Sequence, residues 1–433
     1  MTCFLRRGAA ALLTLCLALP LFGCSGSDAP TESKTPRSDT AVATLCAVGD
    51  IRITDELLQA ARQGGSYDFS DILRGTTAVV GAADVAIGNL ETTLSGEPYN
   101  DGSAPDALAT ALRSTGFSLV QTANSYTIQN GLSGLERTKT ILRSAGLTPV
   151  GTYESAEDRA QNRAVLVEAN GIRIAVVAFT KGMNGMRLPS GAEYCTNLLY
   201  TDYDSNYSRI DTDGITAAIV AARALSPDII VAALHWGSED VSDISDTQEK
   251  IADLMFRRGV DVIVGSHSHR VGPVERRSIT TDDGVQKDVV LAYGLGDYCA
   301  AQEGETNASL ALTVEFTRTG ESTVISDVRC TPLATADCGA GTAPRYQVLD
   351  AADAVRLYEN NYYQRVSDEL YEQLLAAKQQ IEEAVQPQDS TKYGEYNCRE
   401  QPDSRLLPVC SYKVVGAGHA LPGDAPAGGT GNR

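Results

Sequence analysis

The stretch from Asp228 to Glu275 (DIIVAALHWGSEDVSDISDTQEKIADLMFRRGVDVIVGSHSHRVGPVE) constrains this chain most, because it holds three of its four histidines. An apolar run from Asp228 to Leu234 stops at His235-Trp236-Gly237. Ile251, Leu254 and Met255 then recur at helical spacing, and a second apolar run, Val260 to Val264, stops at Gly265 and His267-Ser268-His269. This reads as strand–helix–strand with imidazoles at both strand ends. In open α/β sheets, ligands collect at the carboxyl ends of strands. One histidine after a strand is ordinarily a packed or solvated side chain. A His-x-His pair in a Gly-led loop instead turns alternate rings toward one point, and neutral imidazole is a common ligand of zinc, manganese or iron. The arrangement predicts a metal site.

The amino terminus reads as a targeting segment. Arg6 and Arg7 form a basic region, and Ala9 to Leu19 an apolar core too short to span a bilayer, so residues 1–23 are expected to be a signal peptide. Leu21-Phe22-Gly23-Cys24 resembles the lipobox of bacterial lipoproteins, which would make Cys24 the site of lipid attachment. Plain secretion with a free Cys24 is the alternative. Residues 24–40 are polar and Pro-containing, a flexible tether. The expected location is therefore export, with a lipid anchor at the outer face of the bacterial cytoplasmic membrane.

Roughly 390 residues remain, room for one large α/β domain with an appendage. The net charge of −19 argues against nucleic acid as a partner, since phosphate contacts need a basic face. An anionic polymer would be repelled too, unless a local cationic site or bound metals invert the field. Seven cysteines lie beyond the leader: Cys46, Cys195, Cys299, Cys330, Cys338, Cys398 and Cys410. Export permits disulfides, and Cys330/Cys338 and Cys398/Cys410 are the expected local pairs. The odd count leaves at least one thiol over, and the lack of Cys-x-x-Cys argues against thiolate zinc.

Polar ligand types also follow the earlier strands. Ala41 to Val48 runs into Gly49-Asp50-Ile51-Arg52, and a second strand, Asp84 to Ile87, ends in Gly88-Asn89-Leu90-Glu91. A helix from about Pro105 to Thr115 precedes the Phe117 to Val120 strand, which ends near Asn124-Ser125-Tyr126. Leu132 to Ser144 reads as a helix and Leu147 to Val150 as a short strand. Arg163 to Glu168 and Ile172 to Ala178 read as a hairpin around Asn170-Gly171. Lys181 to Tyr207 reads as a long loop over the site, and Ile215 to Leu225 as a helix. Asp288 to Ala292 is a strand running into Tyr293-Gly294-Leu295-Gly296-Asp297-Tyr298, with Leu310 to Phe316 as a further strand. From Val355 to about Val385, apolar spacing of three and four predicts one amphipathic helix. The main domain is placed at 41–335, a C-terminal helical extension at 336–415, and a disordered tail, containing His419, at 416–433.

In this order, AVGDI at Asp50, GNLETTL at Asn89 to Glu91, HWGSE at His235 to Glu239, VGSHSHRVGPVE at His267 to Glu275 and YGLGDY around Asp297 resemble the CapA family. That family is named for capsule and poly-γ-glutamate synthesis proteins. The resemblance covers roughly Ala41 to Thr317. It implies a calcineurin-like metallophosphatase fold, an α/β sandwich of mixed sheets flanked by helices. It also implies one or two divalent metal ions (Mn, Zn or Fe): Asp50 and His269 on the first, Asn89 and Glu91 at or between the two, and Asn124, His235 and His267 on the second. Glu239, Glu275 and Asp297 would support these ligands from behind, and His235, His267 and Tyr126 would take part in catalysis. Where the family carries Asn-Asn-His, this chain has Asn124-Ser125-Tyr126. Arg52 stands where phosphoesterases carry a ligand histidine, and Asp297 where the family has Asn.

Two functions remain open at this stage. One is a metal-dependent hydrolase or transferase acting on an anionic envelope polymer, poly-γ-glutamate or an exopolysaccharide, with Tyr126 and Lys181 stabilising charge. The other is a non-catalytic, membrane-tethered scaffold that holds the polymer or a capsule synthase subunit in the same cleft. A nucleotide phosphodiesterase keeps the fold but would need the Asp-x-His that Arg52 interrupts.

Overall fold

The computed structural model describes residues 40–99, 102–241, 243–302, 307–361 and 366–386, with the backbone of strands Asn397–Arg399 and Val409–Lys413. Two eight-stranded mixed sheets form the body. The first runs Tyr346–Asp350, Ser322–Asp337, Asn307–Thr319, Thr40–Ile51, Val85–Leu90, Leu119–Gln121, Thr148–Val150, and Asp297–Cys299 pairs with the end of Thr40–Ile51. The second runs Asn397–Arg399, Val409–Lys413, Val274–Thr280, Gln286–Ala292, Val262–Ser266, Ile229–His235, Ile172–Thr180, Val165–Ala169. The mixed α/β class and the flanking helices are as the sequence predicts.

The central strands are buried on both faces, and their alternation sets the layers. In Ile229–His235, Ile229, Val231 and Ala233 enter the core shared by the two sheets. Ile230, Ala232 and Leu234 turn the other way, under the helices Thr212–Ala224 and Asp246–Arg257. Thr40–Ile51 divides likewise: Ala43, Leu45 and Ala47 face inward, while Cys46 and Val48 pack with Leu108 and Leu112 of helix Ala107–Thr115. These are crossover helices between parallel strands. Asp50 pairs with Asn89 in one sheet, and Ser266 with His235 in the other. Parallel pairing therefore gathers the strand ends that carry the polar motifs.

Glycine makes one of these junctions feasible. A Cβ on Gly49 would lie 1.8 Å from the Gly296 carbonyl oxygen, and that oxygen accepts the Asp50 N–H at 2.8 Å. Only a residue without a side chain lets the Asp297 segment close on Asp50.

Several expectations change. The long C-terminal helix is two, Ala351–Glu359 and Asp368–Ala384. Asn361 takes a left-handed φ of 67°, and the Ser367 hydroxyl accepts the Leu370 N–H to start the second helix. The apolar stripe continues across the break because both helices cover the inter-sheet core, with Tyr358 and Tyr371 stacked at 4.0 Å. The boundary expected at 335/336 falls inside strand Ser322–Asp337, and strand Tyr346–Asp350 adds to the same sheet. Cys330 and Cys338 are both free thiols. Cys330 is paired in register with Leu312, and the extended chain carries Cys338 too far along to be bridged. The register sets Cys398 opposite Cys410, but their side chains lie outside the described residues, as do the leader, Cys24 and the tail. The hairpin at Asn170-Gly171 forms, with φ of 51° and 79°. Among the described residues, no helix is long and apolar enough to cross a membrane.

Candidate metal centre

The first sheet supplies a chain of amides and carboxylates. Asp50 is fully buried at the end of Thr40–Ile51. The Asn89 side-chain amide donates to Asp50 Oδ1 at 2.7 Å, and Asn124 Nδ2 donates to Asn89 Oδ1 at 3.0 Å and to the Leu90 carbonyl at 2.7 Å. Glu91, just past the second strand, is buried beside them.

The second sheet supplies the imidazoles. His235 Nε2 lies 3.5 Å from Glu91 Oε1 and 2.8 Å from Ser125 Oγ, and its Nδ1 lies 3.2 Å from Ser266 Oγ. The His267 N–H donates to Asp50 Oδ2 at 3.1 Å. His269 Nδ1 lies 2.9 Å from Asp297 Oδ1 and 3.3 Å from Asp50 Oδ2. Both His267 (φ 92°) and His269 (φ 55°) are in left-handed backbone regions that cost an ordinary residue energy. The strain turns both rings inward: His267 and His235 have centroids 4.4 Å apart, and His267 and His269 6.2 Å.

Electrostatics separates the groups. Burial, reinforced by His267 and His269, holds His235 well below its usual range, and burial with Lys181 takes His267 down to about 3. Both are neutral imidazoles at physiological pH, the form that binds metals. Burial would lower His269 as well, but its hydrogen bonds to Asp297 and Asp50 outweigh that and lift it to about 11. Glu91 is pushed well up, by burial first and the Asp50 charge second. A carboxyl group so placed calls for a positive charge.

The residues fit a cation. Three groups each bring ligand atoms within 4.8 Å of one another: Glu91, His267 and His269; Asp50, His269 and Asp297; Asp50, Glu91 and His235. Glu91 Oε2 and His267 Nδ1 are buried without a hydrogen-bond partner among the described residues. Buried polar atoms of this kind need an explanation such as an ion. Mixed nitrogen and oxygen donors suit manganese, zinc or iron.

Residues 44–302 match the family described as "Bacterial capsule synthesis protein PGA_cap". The chain belongs to the PGA_cap family. It is 25% identical over 281 residues to the PGA biosynthesis protein CapA of Bacillus subtilis, a match covering 62% of this chain and 66% of that protein. It is 24% identical over 298 residues to the capsule biosynthesis protein CapA of Bacillus anthracis, covering 66% of each. The chain thus spans just under two-thirds of these relatives. Among solved structures, it resembles the calcineurin-like phosphoesterase YfkN of Bacillus subtilis at 13% identity and a TM-score of 0.39, over 68% of this chain and 90% of that one.

Within this PGA_cap chain, Asp50, Asn89, Glu91, Asn124, His235, His267 and His269 do converge, but their roles divide. Asn124 Oδ1 accepts the Tyr126 N–H at 2.9 Å while its Nδ2 holds Asn89 and Leu90. It positions Asn89, which in turn directs its N–H group at Asp50 and toward His235 Nδ1 at 3.3 Å. Asp297, expected behind the ligands, meets His269 Nδ1 at 2.9 Å and shares one candidate group with Asp50 and His269. Glu275 is buried with Arg277, whose guanidinium donates to it at 2.6 Å and 2.9 Å, and Glu239 is exposed. The partners that fix the imidazoles are Asp297, Ser125 and Ser266. Tyr126 is half-buried, its ring against Gly102.

Sequence reasoning missed Ser125 and Ser266. The signal for Ser125 lay in its place beside Asn124, at a strand end already singled out. Ser266 sits one residue before His267, paired in register with His235. The segment between Thr180 and Thr212 holds no helix or strand. Its Lys181 end borders the site, with Nζ donating to the Gly237 carbonyl at 2.6 Å. Farther on, Met183, Leu188 and Cys195 form a separate small core with Ile128 and Leu135.

Proposed function

We propose that this PGA_cap protein is an exported, lipid-anchored component of capsule or poly-γ-glutamate biosynthesis that hydrolyses an anionic envelope polymer at a divalent-metal centre. In this reading Cys24 carries the lipid, residues 24–40 are the tether, and capsule synthase subunits are partners. The observation that carries it is the meeting of Asp50, Glu91, His235, His267, His269 and Asp297 in one buried cluster with Glu91 Oε2 and His267 Nδ1 unsatisfied.

Glu91, His235, His267 and His269, with Asp50, would hold the ion. The chemistry it supplies is Lewis-acid polarisation of a carbonyl or phosphoryl oxygen and activation of water. The rest belongs to the chain. Asp297 orients His269 through Nδ1, and Ser266 sits at His235 Nδ1, away from the Nε2 that faces Glu91. Lys181 and Arg52 bring fixed positive charge to an otherwise acidic surface, where an anionic substrate needs it. Tyr126, two residues from Asn124, offers a phenolic O–H.

One observation favours a second reading, a scaffold that binds the polymer without cutting it. Tyr126 takes the place of an imidazole, so the rim lacks a group that exchanges protons readily near neutral pH. Incubating the manganese-loaded full chain with poly-γ-glutamate and following polymer length by size-exclusion chromatography separates the two. Shortening that disappears in His267→Ala/His269→Ala is the expected result; binding at unchanged length would select the scaffold.

A further inference from the structure

We propose that the centre takes one divalent cation, on the Glu91–His267 side, and that the Arg52 guanidinium stands in for a second cation against Asp297 and Asp50. This rests on the cation-binding reading above and fixes its stoichiometry.

The two sides of the cluster differ in what they lack. On the Asp297 side the carboxylates are already engaged. Asp297 meets His269 Nδ1 through Oδ1 at 2.9 Å and faces Arg52 Nη1 through Oδ2 at 3.7 Å. Asp50 accepts from Asn89 through Oδ1 at 2.7 Å and from the His267 N–H through Oδ2 at 3.1 Å. On the other side, Glu91 Oε2 and His267 Nδ1 have no hydrogen-bond partner among the described residues. With His269 they make up one of the ligand groups. His269 faces both sides through one nitrogen, its Nδ1 lying 2.9 Å from Asp297 Oδ1 and 3.9 Å from Glu91 Oε2.

Arg52 is held in place by its backbone. Its N–H donates to the Cys299 carbonyl at 2.8 Å, and its side chain is about one-third exposed, 32%. A guanidinium keeps its charge at any pH the protein survives. Paired metal ions sit roughly 3.5–4 Å apart. A second ion in the Asp50, His269 and Asp297 group would therefore lie beside a positive charge that cannot be discharged. Asp297 already faces the guanidinium, so a second divalent ion there would compete with a permanent cation for the same carboxylate.

The test is metal counting on the full chain equilibrated with manganese(II), then dialysed, with electron paramagnetic resonance of the bound ion. Wild type is expected to retain one manganese per chain with the six-line spectrum of an isolated ion. Arg52→Ala should take up a second and show the spectrum of a coupled pair, while Arg52→Lys stays at one. Two ions in the wild type would overturn the proposal but leave the metal centre standing. No retained ion would overturn both. One ion in wild type and in a folded Arg52→Ala would overturn the role given to Arg52, and the Arg52→Lys count tests the charge where the alanine variant does not fold.

Discussion

At the scale of single residues, amides brace the cluster of carboxylates and imidazoles. Asn124 satisfies the Leu90 carbonyl, Asn89 Oδ1 and the Tyr126 N–H at once. Asn124→Ala leaves these buried groups without partners, at about 1–3 kcal/mol for each unsatisfied group. Urea unfolding should show a loss of about 2–4 kcal/mol, allowing for partial relaxation. A loss of metal with unchanged stability would instead make Asn124 a ligand. Sequence position alone could not separate these roles, because an Asn at a strand end serves equally as ligand or brace. The histidines were more legible: few occur in the chain, and His-x-His has little reason to follow a strand unless both rings are used. Asp297 was visible as a residue of interest, but its contact with His269 was not. Its distance to His269 depends on Gly49 admitting a distant segment, which no local pattern records.

At the scale of elements, the parallel strands could be read because burial on both faces makes them continuous apolar runs. The helices between them were readable by period. What failed was continuity: the stripe from Val355 to Val385 kept its spacing through a break at Asn361, because two helices can present one face to the same core. The segment after Lys181 makes a different point, since it is held by polar contacts rather than by any period. Both carboxylate oxygens of Asp202 accept from the Ser208 N–H, and one also accepts from the Arg209 N–H at 2.9 Å and the other from Ser208 Oγ at 2.6 Å. These bonds, the Ser208 hydroxyl foremost, draw Asp202 down to about 2. A carboxylate depressed in the folded state contributes stability that is present above its unfolded value near 3.9 and is lost as pH falls through its folded value. Hydrogen exchange should therefore show Ser208 and Arg209 protected at pH 5 and losing protection between about pH 4 and 2. In Asp202→Asn that pH dependence should vanish; a wild-type pattern in the variant would rule Asp202 out as the anchor.

At the scale of the whole molecule, a net charge of −19 opposes the approach of any anionic polymer. Repulsion between the two acts at long range, where salt screens it over about 10 Å at 0.1 M. Raising sodium chloride from about 0.05 to 0.3 M should speed the association of poly-γ-glutamate with the metal-loaded protein, opposite in sign to a protein steered by attraction. Stopped-flow association rates that fall with salt would show that a local positive field dominates from the start. The same scale decides the central matter. Asp50 and Glu91 belong to one sheet and the three histidines to the other, so a cation can bind tightly only if the two sheets meet as described. The most direct measurement is the manganese content of the full chain beside that of His267→Ala/His269→Ala, both folded by circular dichroism and dialysed together. The wild type should retain the ion and the double variant should lose it; equal contents in the two would contradict the centre.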